Sequence, residues 1–297
     1  RNARRGRLRA PPARDARAAP SRRPACGRPA GGLPLPPPPT PGPPPPGPPP
    51  PPAGVGGGGP LDGTPAPSPL SAPLRLAVFD VDGTLIDSQA LILEAMARAY
   101  DAAGLPRPAP AEILAIVGLS LPEAVRLLSP DLTDPQVAEV AELYRHAFVA
   151  LRVETGGEAN APLYPGAREA LARLGARPDR LLGVATGKAR RGLDHVLSAH
   201  RLEGVFHTLQ TACRHPSKPH PSMLAAALAE TGTEARHAVM IGDTEYDMAM
   251  ARAAGMPAIG VAWGYHPETR LRAAGADLVI HAFDALDDAL AELEARA

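Results

Sequence analysis

The chain has 297 residues, with 31 basic and 31 acidic residues in formal balance. That length holds one large or two modest domains. No run of eighteen apolar residues occurs, so no membrane span is expected, and with only Cys26 and Cys213 a disulfide framework is not expected either. A reducing compartment fits that cysteine usage.

The charge is unevenly placed. Residues 1–28 carry ten Arg and one acid, Asp15, and fifteen of the twenty residues 33–52 are Pro. Such a stretch cannot bury apolar surface, and Pro removes backbone donors, so residues 1–73 are expected to be a disordered or polyproline-like extension. The chain does not begin with Met, which suggests an unstructured extension or sequence upstream of a true start. A basic arm touching nucleic acid is a second possibility, weakened by the lack of aromatic residues to stack bases. A transit peptide fits less well, because Pro rather than Ser dominates. Without this extension, residues 74–297 carry 21 basic and 29 acidic residues, which argues against a nucleic-acid-binding domain.

The folded part opens with Leu76-Ala77-Val78-Phe79 running into Asp80-Val81-Asp82-Gly83-Thr84-Leu85. An apolar run stopped by polar and turn residues predicts a strand buried on both faces. Asp80 then stands at the strand's carboxyl end, where open α/β sheets place ligands. If the chain stays extended, Asp80 and Asp82 point the same way. Adjacent carboxylates repel unless a cation or a shared proton intervenes, and Mg²⁺ suits oxygen ligands. Gly83 lets the backbone turn sharply. Alone, Asp-x-Asp-Gly is equally a calcium loop or a plain turn.

Helices are predicted at 88–103, with Ser88 able to cap, then at 110–117, 121–128 and 134–153. No convincing strand interrupts them. Alternation follows: helix 167–174, strand 181–185, helix 190–200, strand 205–209, helix 219–231, strand 237–241, helix 244–254, strands 258–261 and 277–280, and helix 283–293. Strands alternating with helices predict a parallel sheet with crossover helices.

Among 31 basic residues only two are Lys, Lys188 and Lys218, which marks both as places where a compact charge is wanted. Three predicted strands end in chemically apt residues: Asp80/Asp82, Thr186 and Asp243. Asp243 and Asp247 are four apart, hence on one face if a helix begins there. Asp80, Asp82 and Asp243 would make an acidic pocket for Mg²⁺, and Thr186 and Lys218 would supply a hydroxyl and a cation for a phosphoryl group. Each has a plainer alternative. Thr186-Gly187 could be a simple strand-to-helix turn, and Asp247 a helix-dipole acid. Residues 183–188 are one short of a P-loop, and Ala189 stands where that motif needs Ser or Thr. The histidines, His195 among them, show no metal-ligand spacing.

Taken in order, these motifs resemble the haloacid dehalogenase-like hydrolase superfamily, over essentially residues 74–297. Asp80-Val-Asp82-Gly83-Thr84-Leu85 looks like its first motif, Thr186 its second, Lys218-Pro219 its third and Gly242-Asp243-Thr244-Glu245-Tyr246-Asp247 its fourth. The position of the helical insertion is similar to that of the phosphoglycolate phosphatase-like branch. The resemblance implies a Rossmann-like α/β parallel-sheet core at 74–87 and 162–297 and an all-helical cap at 88–161. It implies a cytoplasmic phosphatase, monomer or homodimer, acting on a small phosphorylated metabolite, with phosphoglycolate the default substrate. Asp80 would attack phosphorus, and Asp82 would act as acid and then base. Mg²⁺ would be held by Asp80, Asp243 and the Asp82 carbonyl, with Asp247 in support. Thr186, Lys218 and the Gly83 amides would bind phosphate. Lys188, Gly118 and Ser120 are substrate-side candidates. A β-phosphoglucomutase-like mutase shares all four motifs and is the alternative enzyme. A non-catalytic binding module is the alternative outside enzymes.

Overall fold

The computed structural model describes residues 73–156 and 161–296, all within one unit of the chain. The extension expected at 1–73 therefore lies, but for Pro73, outside the described residues, as does Cys26.

Six strands form one parallel sheet: β1 (Arg75–Phe79), β2 (Arg180–Thr186), β3 (Thr208–Thr211), β4 (Ala238–Gly242), β5 (Ala258–Val261) and β6 (Leu278–Ile280). Their spatial order is β3-β2-β1-β4-β5-β6. The chain leaves β1 toward one edge and returns to its other side at β4, so strand order reverses between β1 and β4. That reversal is where an open α/β sheet offers a crevice at its carboxyl end.

The strand period of two sorts the core into two layers. Ala77 and Phe79 of β1, with Val239 and Ile241 of β4, pack on one face against α5 (Ala167–Gly175), α6 (Arg190–Ala199) and α10 (Leu286–Glu294). Leu76 and Val78, with Ala238 and Met240, face α7 (Ser222–Thr231), α8 (Glu245–Ala253) and α9 (Glu268–Ala274). Strands buried on both sides explain the unbroken apolar run of β1.

Between β1 and β2 stand α1 (Gln89–Ala102), α2 (Pro110–Ala115), α3 (Leu121–Leu128) and α4 (Asp134–Glu154). They share a separate apolar cluster that includes Ile92, Met96, Tyr100, Ile113, Val125, Val137 and Val140.

Several element limits differ from the sequence-based expectation. The third strand is Thr208–Thr211 rather than 205–209, because the Val205 amide is spent in a turn on the Leu202 carbonyl. The register Gly183↔Thr208 then fixes its start. Helix α7 begins at Ser222, three residues late. Lys218 and His220 each precede a proline, which disfavours helical backbone there. The predicted last helix begins as a short 3₁₀ turn at Phe283–Ala285. Helix α9 has no counterpart in the sequence reading: Leu271 is its one buried residue, too little to show a period.

Candidate active site

Asp80 follows β1 directly, and its amide donates to the Ile241 carbonyl of β4 at 2.9 Å. Asp243 follows β4. The two carboxylates therefore flank the crevice where strand order reverses. Asp247 sits in the first turn of α8, held by a capping box: the Thr244 amide and hydroxyl donate to its Oδ2 at 3.1 and 2.7 Å. Asp80, Asp243 and Asp247 are all buried and offer carboxylate oxygens within 4.8 Å of one another.

Lys218 is buried between two of them. Its Nζ donates to Asp247 Oδ1 at 2.6 Å and lies 2.9 Å from Asp80 Oδ1. The approach to Asp80 is an ion pair off the hydrogen-bonding direction, for neither Asp80 oxygen has a donor among the described residues. Burial pushes the Asp80 carboxyl up to about 7, against the pull of Lys218 and with further upward push from Asp247. Asp243 is raised well above the usual carboxylate range by burial, then by Asp80 and Asp247. Burial alone would lower the Lys218 ammonium, but Asp247 and Asp80 outweigh it and hold it above the ordinary lysine value. One buried cation thus faces three buried carboxylates. The excess negative charge and the orphaned Asp80 oxygens fit a hard divalent cation, and the all-oxygen donor set is of the kind Mg²⁺ takes.

Asp82 is not part of this trio. Its Oδ1 accepts from Ser88 Oγ at 2.6 Å, and its Oδ2 pairs with Lys188 Nζ at 3.0 Å. Ser88 occupies the N-cap position of α1 but makes no capping bond: its backbone, at φ −105° and ψ 10°, is not in the extended conformation of a usual N-cap, and its hydroxyl donates to Asp82. The expectation that Ser88 caps the helix is corrected on that ground. The Lys188 ammonium also lies 5.1 Å from the Phe148 ring centre on α4.

Gly83 has φ +85°, and a Cβ there would lie 2.2 Å from Asp243 Oδ2. Only glycine permits both the conformation and the approach. Thr186 ends β2, buried, and its Oγ1 accepts from the Lys188 amide at 3.2 Å. Gly187 touches the helical segment: a Cβ would lie 2.5 Å from the carbonyl oxygens of Gly118 and Leu119. The Ser120 amide donates to Ser217 Oγ at 2.8 Å, next to Lys218. Gly118 and Ser120 are thus placed against the loops that follow β2 and β3.

Three contributors escaped the sequence reading. The Tyr265 amide donates to Asp243 Oδ2 at 2.9 Å, and Thr84 Oγ1 donates to Asp243 Oδ1 at 2.9 Å. The Tyr265 hydroxyl meets Ser88, and Trp263 Nε1 donates to the Thr84 carbonyl at 3.1 Å. Thr84 lay inside the quoted motif. The Trp263-Gly264-Tyr265 stretch after β5 carried no signal beyond its glycine.

Residues 77–261 match the family described as haloacid dehalogenase-like hydrolase. The "Probable phosphatase IndB" of Dickeya dadantii is 34% identical over 70% of this chain and 90% of its own length. The phosphoglycolate phosphatase of Yersinia pestis is 28% identical over 71% of this chain and 90% of its own. A hydrolase crystal structure from Pseudomonas syringae superposes with a TM-score of 0.66 at 27% identity, covering 73% of this chain and 98% of that one. With its site at the crevice between β1 and β4, the chain belongs to the haloacid dehalogenase-like hydrolase family and is one of its phosphatases.

Proposed function

We propose that the chain is a Mg²⁺-dependent phosphomonoester hydrolase that works through an aspartyl-phosphate on a small organic phosphate. Phosphoglycolate is the first substrate to test, by likeness to relatives of that name. The observation that carries this reading is the buried trio Asp80, Asp243 and Asp247 around Lys218, with Asp80 Oδ1 paired to the Lys218 ammonium and Oδ2 left without a donor among the described residues. An attacking carboxylate needs that freedom.

Asp80, Asp243 and Asp247 would hold the ion. When bound, it would supply positive charge that keeps the trio ionised and draws charge from the phosphoryl oxygens. Lys218, Thr186 and the amides around Gly83 would bind those oxygens. An Asp80 oxygen attacks phosphorus as the ester P–O bond breaks, and Asp82 gives its proton to the leaving oxygen. Asp82 then takes a proton from water, which attacks the phosphoryl group and frees Asp80 and inorganic phosphate. Ser88 and Lys188 hold Asp82 for both steps. Residues 88–161 serve as a cap over the site, and residues 74–87 and 162–297 as the core. The reading carries with it a cytoplasmic setting and a monomer or homodimer.

The test is phosphate release from a panel of phosphomonoesters with Mg²⁺, beside Asp80→Asn and a chelator control. Loss in both controls supports the mechanism. Isomerisation of glucose 1-phosphate without phosphate release would instead mark a mutase.

A further inference from the structure

Tyr265 stands in the segment after β5, and its two ends reach two different parts of the site. Its amide donates to Asp243 Oδ2 at 2.9 Å. Its hydroxyl lies 3.2 Å from Ser88 Oγ and accepts from the Ser88 amide at 3.3 Å. Between these ends the ring packs on the apolar cluster of the helical segment and lies over Gly83, where a Cβ would come within 2.8 Å of Tyr265 Cε2. Gly264 allows the backbone an equally close approach, since a Cβ there would lie 2.1 Å from Asp243 Cβ.

The direction of the hydroxyl chain follows from counting protons. Ser88 Oγ has one proton and gives it to Asp82 Oδ1 at 2.6 Å. It can then only accept from Tyr265, whose oxygen in turn takes the Ser88 amide. The chain runs from Tyr265 through Ser88 to Asp82 and ends on a carboxylate, so each donor is polarised by the next. One tyrosine oxygen thus fixes both the backbone and the side chain of Ser88, where the chain passes from the Asp82 loop into α1. The other Asp82 oxygen is held separately, by Lys188.

Taking the phosphatase reading as given, the acid-base carboxylate and the ion-binding carboxylates must keep a fixed spacing through both steps. We propose that Tyr265 is a positioning residue that sets it: its amide holds Asp243, and its hydroxyl, through Ser88, holds Asp82 toward the leaving oxygen. Tyr265 acts through these neighbours and exchanges no proton with the substrate.

Phosphate release from benzyl phosphate and p-nitrophenyl phosphate tests this. The two esters are similar in size, but the benzyl alkoxide needs a proton to leave and p-nitrophenolate does not. Tyr265→Phe keeps the ring and the amide and removes the hydroxyl. It should lower kcat/KM roughly tenfold for benzyl phosphate, several times more than for p-nitrophenyl phosphate, while Mg²⁺ affinity by calorimetry is retained. Added to Ser88→Ala, it should cost nothing further. If Tyr265→Phe does not fold, Tyr265→Leu removes the same hydroxyl and is read in the same way. An equal change with both esters, a matching loss of Mg²⁺ affinity, or additive losses in the double variant overturns the proposal. If neither ester is hydrolysed, the phosphatase reading fails instead. Crystal structures then decide the positioning, as they do if only p-nitrophenyl phosphate reacts: loss of the Ser88–Asp82 hydrogen bond in Tyr265→Phe supports it, and an unchanged bond overturns it.

Discussion

Lys218 Nζ lies 2.6 Å from the Asp247 carboxylate, both fully buried, on elements 29 residues apart in the chain. This pair ties the loop after β3 to the first turn of α8 and leaves Asp80 as the third member. Removing the cation would strand two buried carboxylates. Lys218→Met is expected to abolish turnover and to cost about 3–5 kcal/mol of stability in metal-free protein. Adding Asp247→Asn should recover part of the melting temperature but no activity. Additive losses in the double variant would show that the two residues do not form an energetic pair.

Ser88 and Asp82 meet at 2.6 Å. Ser88→Ala removes a hydrogen bond to the carboxyl proposed as acid and base, and it removes no capping bond from α1. The expected result is a fall of roughly tenfold or more in kcat, a shifted pH–rate profile and little change in melting temperature. A large loss of stability with an unshifted profile would assign Ser88 to packing.

Gly187 abuts two carbonyl oxygens of the helical segment, and backbone cannot yield by changing rotamer. Gly187→Ala should cost about 1–3 kcal/mol and push residues 118–119 away from the site. Activity should fall while Mg²⁺ binding, measured by calorimetry, is retained. Full activity in this variant would show that close contact of the two parts is not needed for turnover.

Asp80 is raised from 3.8 to about 7 by burial. The folded, metal-free protein therefore keeps a proton at pH values where the unfolded chain has lost it. Its stability should fall as pH rises from about 4 toward 7. Binding a cation displaces that proton, so Mg²⁺ affinity should weaken as pH drops below about 7. Thermal denaturation at pH 6 and pH 8, with Mg²⁺ and with a chelator, checks both: the stabilisation by Mg²⁺ should be larger at pH 8. A pH-independent difference would place the ion elsewhere.

Much of the fold was legible because parallel strands buried on both faces leave unbroken apolar runs, and each such run ended in a turn or a carboxylate. The elements read less well were those whose limits depend on partners. β3 starts where pairing with β2 places it. Helix α9 buries only Leu271 against the sheet, so local periodicity had nothing to display.

By itself, the sequence determined the alternation of strand and helix, the insertion between β1 and β2, and the candidates Asp80, Asp82, Thr186, Lys218 and Asp243, with Asp247 as a supporting acid. These follow from short-range chemistry: side-chain period, turn residues, and the rarity of lysine among 31 basic residues. Tertiary structure alone decided which carboxylates meet. Asp247 rather than the Asp82 carboxylate joins Asp80 and Asp243, and Asp82 turns instead to Ser88 and Lys188. It also brought the Tyr265 amide to Asp243 and the Tyr265 hydroxyl to Ser88. Asp80 and Asp247 lie 247 − 80 = 167 residues apart, and, the four-residue spacing of Asp243 and Asp247 aside, covalent spacing does not bring these partners together. Sheet order and helix packing set their distances, and burial then makes those distances energetically decisive.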